Sequence, residues 1–326
     1  GFSAAAMLEA LRPNYALAQQ VPKNDPRLKI DTVSYSSPLG PGTMKGYLAR
    51  PVNAKGKLPT IVVIHENRGL NPHIEDVTRR FATDGFLALG VDLLSMAGGY
   101  PGTDEAAAQI FGQVQPPKAV AEVQNIIKLA AARPDSNGKV GIIGFCWGGY
   151  AVLELACFEP LEAVVGFHPG LSLGPLSNPA AMQAGVLVCV GDQDPHVPQS
   201  DIARFMDEMR GAQVDCQVLL LMGAPHSFTN PEPYVYDAGP GIGYDPVADR
   251  RALVEGALAT VQVGARPPAV ASAPHVAIAL LAHFLESKDA ANLAYGRVID
   301  AKQCRPLADS PKMPVPLRRA ARGGQA

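Results

Sequence analysis

The hydrophobic and polar positions alternate in two periods along this chain, and the two periods take turns. Asp31–Ser36 and Thr43–Ala49 alternate loosely about a Pro-Gly turn, which predicts an antiparallel hairpin. Leu58–Ile64 is a continuous β-branched run, the pattern of a strand buried on both faces. Over His73–Thr83 the apolar residues Ile74, Val77 and Phe81 recur at helical spacing. Phe86–Val91 reads as another buried strand. Asp104–Ala132 is mostly helical, interrupted around Pro116-Pro117. Strand Lys139–Phe145 leads through glycines into a helix-like run, Tyr150–Phe158. Strands follow at Ala163–Phe167, Val186–Val190 and Gln217–Leu221, with a helix over Gln199–Met209 and a closing helix over Val247–Val261.

Strands alternating with helices imply an α/β, doubly wound, mostly parallel sheet flanked by helices. Active sites of such sheets gather at the carboxyl ends of the strands. The pattern weakens at both termini. Residues 1–29 read as an N-terminal extension, 30–263 as the catalytic domain, and 264–326 as a linker, a helix over Val276–Leu285 and a loose tail from Ser310. Two readings of the start stay open. Ala16-Leu17-Ala18-Gln19 resembles the cleavage site of an export leader, although no basic segment precedes it; alternatively Met7, Leu8 and Leu11 mark an amphipathic helix.

Composition narrows the function. Of 326 residues, 47% are hydrophobic and 18% charged, enough apolar material for a large core. Net charge is −2 and no basic block precedes the tail, which argues against nucleic-acid or membrane-surface partners. No apolar run approaches the ~20 residues of a membrane span. The five cysteines lack the spacing of a disulfide framework or a zinc site. Cys157 and Cys189 sit in apolar runs and read as core. Free thiols suit a reducing cytoplasm and a leader remnant suits export, so the compartment stays undecided.

The chemistry centres on Gly144-Phe145-Cys146-Trp147-Gly148-Gly149. A strand, a sharp glycine-flanked turn and a helix are written around one cysteine, the context of a nucleophile elbow. A thiol needs a base, and the base an orienting acid. His226 follows the strand ending at Leu221, and Asp194 follows the strand ending at Val190. Nucleophile, acid and histidine thus come in the order of α/β hydrolases. Asp192 competes with Asp194, and the nearby Val197-Pro198 favours Asp194. His168 also follows a strand and is expected to line the pocket without a chemical role. The backbone N–H groups of Trp147 and of Asn67, in the loop after Leu58–Ile64, are the expected oxyanion donors. The helix beginning at Trp147 favours negative charge at its start.

Together, His65-Glu66-Asn67-Arg68-Gly69-Leu70, the elbow, Gly191-Asp192-Gln193-Asp194-Pro195-His196-Val197-Pro198 and Pro225-His226-Ser227-Phe228 resemble the dienelactone hydrolase family over roughly residues 30–263. The resemblance implies an α/β-hydrolase fold, a Cys146-His226-Asp194 triad and hydrolysis of a small ester or lactone without a cofactor. It implies that Glu66 contacts the resting thiol and controls its ionisation. The family's two arginines that hold a substrate carboxylate are absent: Met96 stands near the place of one, Thr229 and Asn230 near the other. A guanidinium fork has no equivalent in these side chains, so a neutral substrate is expected. Ser95, Met96 and Tyr100, with Trp147 and His168, are the expected pocket lining. The competing readings are a non-catalytic ligand-binding or redox-responsive protein using Cys146 as a reactive thiol, and a cysteine peptidase, whose papain-type surroundings Gly-Phe-Cys-Trp does not match.

Overall fold

The continuous apolar runs become the parallel centre of one sheet. The computed structural model describes residues 19–37, 42–114, 116–231, 239–253 and 296–300. Its strands are β1 (Leu28–Ser36), β2 (Thr43–Pro51), β3 (Leu58–Ile64), β4 (Leu87–Asp92), β5 (Ser136–Phe145), β6 (Ala163–Phe167), β7 (Gly185–Gly191), β8 (Cys216–Leu221) and β9 (Gly296–Asp300). Among the described residues they form one sheet in the order β1-β2-β4-β3-β5-β6-β7-β8-β9. Strands β4, β3, β5, β6, β7 and β8 are mutually parallel; β1–β2, β2–β4 and β8–β9 pair antiparallel. This is the α/β-hydrolase architecture.

Helices cover both faces: α1 (Pro72–Thr83), α2 (Asp104–Phe111), α3 (Pro116–Ala131), α4 (Trp147–Ala156), α5 (Gln199–Gly211) and α6 (246–253). Strand residues alternate between two cores, as the period of two demands. Val62, Ile64 and Ile142 join one core with residues of α3, α4 and α5. Ile61, Val63, Ile143 and Phe145 join the other with residues of α1 and α6. Helix α1 starts where the sequence writes a cap. The Asn71 side chain accepts a hydrogen bond from the Ile74 N–H at 3.1 Å, and Pro72 occupies the first turn, where its missing N–H costs nothing.

Several elements differ from the sequence reading. The interruption expected around Pro116-Pro117 within Asp104–Ala132 is present but falls just before the prolines: Gly112 ends α2, and Pro116 opens α3. Helix α4 begins directly at Trp147, so Gly148 and Gly149 lie in its first turn rather than before it. The extension assigned to residues 1–29 overlaps the fold: Val21 is buried and β1 begins at Leu28. Strand β9, from the stretch read as linker and tail, adds an antiparallel edge to β8. The leader or helix expected over residues 1–18, the helix over Val276–Leu285 and the tail from Ser310 lie outside the described residues. Among the described residues no helix is long and apolar enough to cross a membrane.

Strand register gathers the site. The pairings Ile64–Gly144, Phe145–Phe167 and Gly191–Leu221 bring the exits of β3, β5, β6, β7 and β8 to one edge of the sheet.

Candidate active site

Cys146 connects β5 to α4 with φ 51° and ψ −115°. An L-residue held there carries strain of about 1–3 kcal/mol, which persists only where the surroundings over-determine it. Here backbone bonds fix the turn. Cys146 N–H donates to the Phe167 carbonyl at 3.0 Å, while its own carbonyl accepts from Gly170 N–H at 3.0 Å and Tyr150 N–H at 3.2 Å. The glycines are required by close approach. A β carbon on Gly144 would sit 2.1 Å from the Gly148 carbonyl oxygen, and one on Gly148 would sit 2.4 Å from that of His65. The first turn of α4 is thus pressed against the exit of β3, just before Glu66 and Asn67.

Three side chains from three strand exits converge. His226 Nε2 lies 3.3 Å from Cys146 Sγ, and His226 Nδ1 donates to Asp194 Oδ2 at 2.6 Å. The other oxygen of Asp194 accepts the His196 N–H at 2.8 Å, fixing the carboxylate's orientation. Asp192, the rival acid, instead accepts from Gly223 N–H. His226 is held through its backbone: its N–H donates to the Gly241 carbonyl at 2.8 Å, and its carbonyl accepts from Gly243 N–H at 3.0 Å. Burial alone would depress the imidazole pKa. The Asp194 hydrogen bond and the contact with Cys146 outweigh it and push the pKa up to about 10. The geometry therefore holds an imidazolium beside the sulfur at neutral pH. Cys146 itself is partly exposed, whereas Cys157, Cys189 and Cys216 are buried.

The other predicted residues are distributed as follows. Trp147 N–H is at the start of α4, beside the thiol, and its side chain packs edge-on against Phe111 at 5.1 Å. Asn67 is exposed on the turn after β3. Glu66 is buried at the same exit; its Oε2 accepts from Asn230 Nδ2 at 3.4 Å, and its Oε1 is 3.8 Å from His168 Nε2. Ser95 and Tyr100, expected in the pocket lining, belong to a local network: Ser95 Oγ donates to Asp92 and accepts from Lys45 N–H, and the Tyr100 hydroxyl donates to Asp104 at 3.0 Å. Met96 is half-buried against the α3–α4 core. His168 departs from the expectation. It has 0% exposure and sits behind His226, so it meets the candidate base rather than solvent-filled space.

Sequence reasoning missed the polar layer behind the imidazole. Thr229 and Asn230 are fully buried and bond His168 and Glu66. Their signal was present, since both follow the Pro-His-Ser-Phe segment, but nothing local says that they turn inward. Among the described residues no group of three or more His, Cys, Asp or Glu is arranged to hold a metal ion.

Comparison with known proteins gives a family and a fold. Residues 44–257 match the family model described as "Dienelactone hydrolase family". YghX of Escherichia coli (strain K12), provisionally named a hydrolase fragment, is 50% identical over 114 residues, which are 35% of this chain and 97% of that protein. A Synechocystis protein provisionally named carboxymethylenebutenolidase is 29% identical over 198 residues, 56% of this chain and 80% of its own. The crystal structure of P91, a dienelactone hydrolase-like promiscuous phosphotriesterase from metagenomic libraries, superposes with a TM-score of 0.64 at 31% identity, covering 73% of this chain and 99% of that one.

Proposed function

This chain belongs to the dienelactone hydrolase family and is an ester or lactone hydrolase, and we propose that it works through a covalent thioester on Cys146, with His226 as acid–base and Asp194 as its orienting group. The observation that carries the reading is the chain of contacts Asp194–His226–Cys146, at 2.6 and 3.3 Å. A thiolate beside an imidazolium is the nucleophile. The sulfur attacks the ester or lactone carbonyl, and the N–H groups of Trp147 and Asn67 receive the oxyanion. The tetrahedral intermediate collapses as His226 Nε2–H protonates the leaving alkoxide, leaving a thioester and a neutral imidazole. His226 then takes a proton from water, hydroxide adds to the thioester, and the carboxylic product departs from a regenerated thiolate–imidazolium pair. Glu66, buried at the β3 exit, is the group assigned to control of the thiol.

The favoured substrate is uncharged. Where the family pattern has arginines, the residues after His226 are Thr229 and Asn230. They are buried and spent on His168 and Glu66, and Met96 offers no charge. An uncharged ester is also what the name phosphotriesterase describes for P91.

One experiment tests both parts. Cys146→Ala is expected to lose roughly 10³-fold or more in kcat on an activated aryl acetate, and the wild type to show a burst and a thioester adduct by mass spectrometry. Undiminished turnover by the variant removes the nucleophile assignment. Neutral lactones and aryl esters should show kcat/KM at least about tenfold above a carboxylated dienelactone, the scale of one lost charged contact. The reverse ranking removes the neutral-substrate assignment alone.

A further inference from the structure

We infer that His168 is a positioning residue, a buried imidazole whose ring sets the plane of His226 and so aims Nε2 at the Cys146 sulfur. The inference rests on the triad reading above and adds a residue to it.

Four observations carry it. The His168 ring meets that of His226 edge-to-face, with centroids 5.0 Å apart and planes at 68°. It cannot drift: Phe228 lies edge-on at 5.3 Å, Phe145 lies tilted by 54° at 5.9 Å, and Nε2 is 3.1 Å from the Thr229 hydroxyl. Its backbone is pinned, with N–H donating to the Cys189 carbonyl at 2.7 Å. It also has φ 36°, a left-handed conformation that L-residues adopt at a cost. A fully buried polar ring at a positive φ is an expensive way to fill a core, so the ring is held for what it touches.

His168 also stays neutral. Burial first, then the nearby His226 imidazolium, with His73 a lesser cause, hold its pKa well below the ordinary imidazole value. The titratable groups around it are Glu66 at the β3 exit, His226 after β8 and, across Phe145, His73 on α1. A neutral ring beside an imidazolium supports it without repelling it. His196 also meets His226 edge-on, at 4.8 Å, but is exposed and therefore free of such packing.

The test is built on His168→Asn, because Asn tolerates a left-handed φ better than most residues and so deletes the ring while sparing the backbone. The expected result is a loss in kcat of about tenfold or more with KM within about twofold, since misaiming the base costs chemistry rather than binding. The pH dependence of Cys146 alkylation by iodoacetamide should shift as well, a readout that simple loss of packing would not move in a folded protein. Thr229→Val, which removes the hydroxyl anchor, should change both quantities in the same direction, and Thr229→Ser, which keeps it, should restore them. A folded His168→Asn with wild-type kcat and alkylation profile overturns the inference, as does a loss confined to KM. If His168→Asn does not fold, the Thr229 pair decides: Val and Ser variants alike in both readouts overturn it. Failure of the triad reading itself is separate, because it appears as hydrolysis surviving in Cys146→Ala, and the alkylation profile does not depend on hydrolysis.

Discussion

At the scale of single residues, the proposed proton chemistry turns on Asp194. Its hydrogen bond to Nδ1 is the largest influence raising the pKa of His226 to about 10, against a burial effect that lowers it. A raised imidazole pKa means that the charged form persists through neutral pH and is lost as pH climbs toward 10. The alkaline limb of kcat/KM should therefore lie near that value, where the proton donor for the leaving group disappears. Asp194→Asn keeps the shape and removes the charge. It should pull the alkaline limb down toward the ordinary imidazole range near 6.5, and cost about 10²-fold or more in kcat, within the range known for acid-to-amide changes in triads. A pH–rate profile with its limb unmoved in the variant would contradict this. That Cys146, Asp194 and His226 converge was legible in the sequence because each follows the exit of an apolar strand within five residues. His168 was legible only as a neighbour. That it is buried behind His226 depends on Thr229, Phe145 and Phe228, from two other segments, and no local pattern joins them.

At the scale of elements, the strand–elbow–helix unit is held by backbone approach rather than side chains. The contact of Gly148 with the His65 and Ile64 carbonyls sets how deeply α4 seats on β3. Gly148→Ala would place a methyl group 2.4 Å from one carbonyl oxygen and 2.9 Å from the other. Neither atom belongs to a flexible side chain, so α4 must shift. The expected cost is about 1 to 3 kcal/mol of stability by denaturant titration, together with a fall in kcat, because the same shift moves Cys146 away from His226. Wild-type values for both would show that the seat is looser than its geometry. Strand β3 and strand β6 were readable to the residue, since polar residues close each largely apolar run, Lys57 and His65 around β3 and Glu162 and His168 around β6. The division into α2 and α3 was less so, as Gly112 and Pro116 act together and only the prolines stood out. Strand β9 gave no signal, because a five-residue edge strand is recruited by the open backbone of β8 rather than by its own pattern.

At the scale of the whole molecule, a buried ionic network ties residues before the first strand to helix α6. Arg79 donates to the Val21 carbonyl at 2.6 Å and to the Tyr47 hydroxyl at 2.8 Å. Arg80 bonds Asp76 at 2.7 Å and Asp249 at 3.0 and 3.1 Å, and Asp249 also accepts from Gln20 at 2.7 Å and Tyr244 at 3.1 Å. Sequence reading could not foresee this, since Gln20 and Asp249 are 229 positions apart, and it placed Gln20 outside the domain. The network has a pH signature. Burial of the Asp249 carboxyl outweighs the pull of Arg80 and raises its pKa from 3.8 to about 6. A carboxyl pKa raised by folding means that the folded state holds the proton longer than the unfolded chain. The stability it lends is therefore complete below about pH 4 and drains away as pH rises through 6, by roughly 3 kcal/mol for a shift of this size. Asp249→Asn cannot titrate, so the stability difference between wild type and variant should change by that order between pH 4 and 6 and stay level above about pH 7. Urea titrations of both proteins across that window measure it. A difference that is flat with pH would mean that Asp249 remains ionised beside Arg80, and that the network holds the N-terminal segment by charge alone.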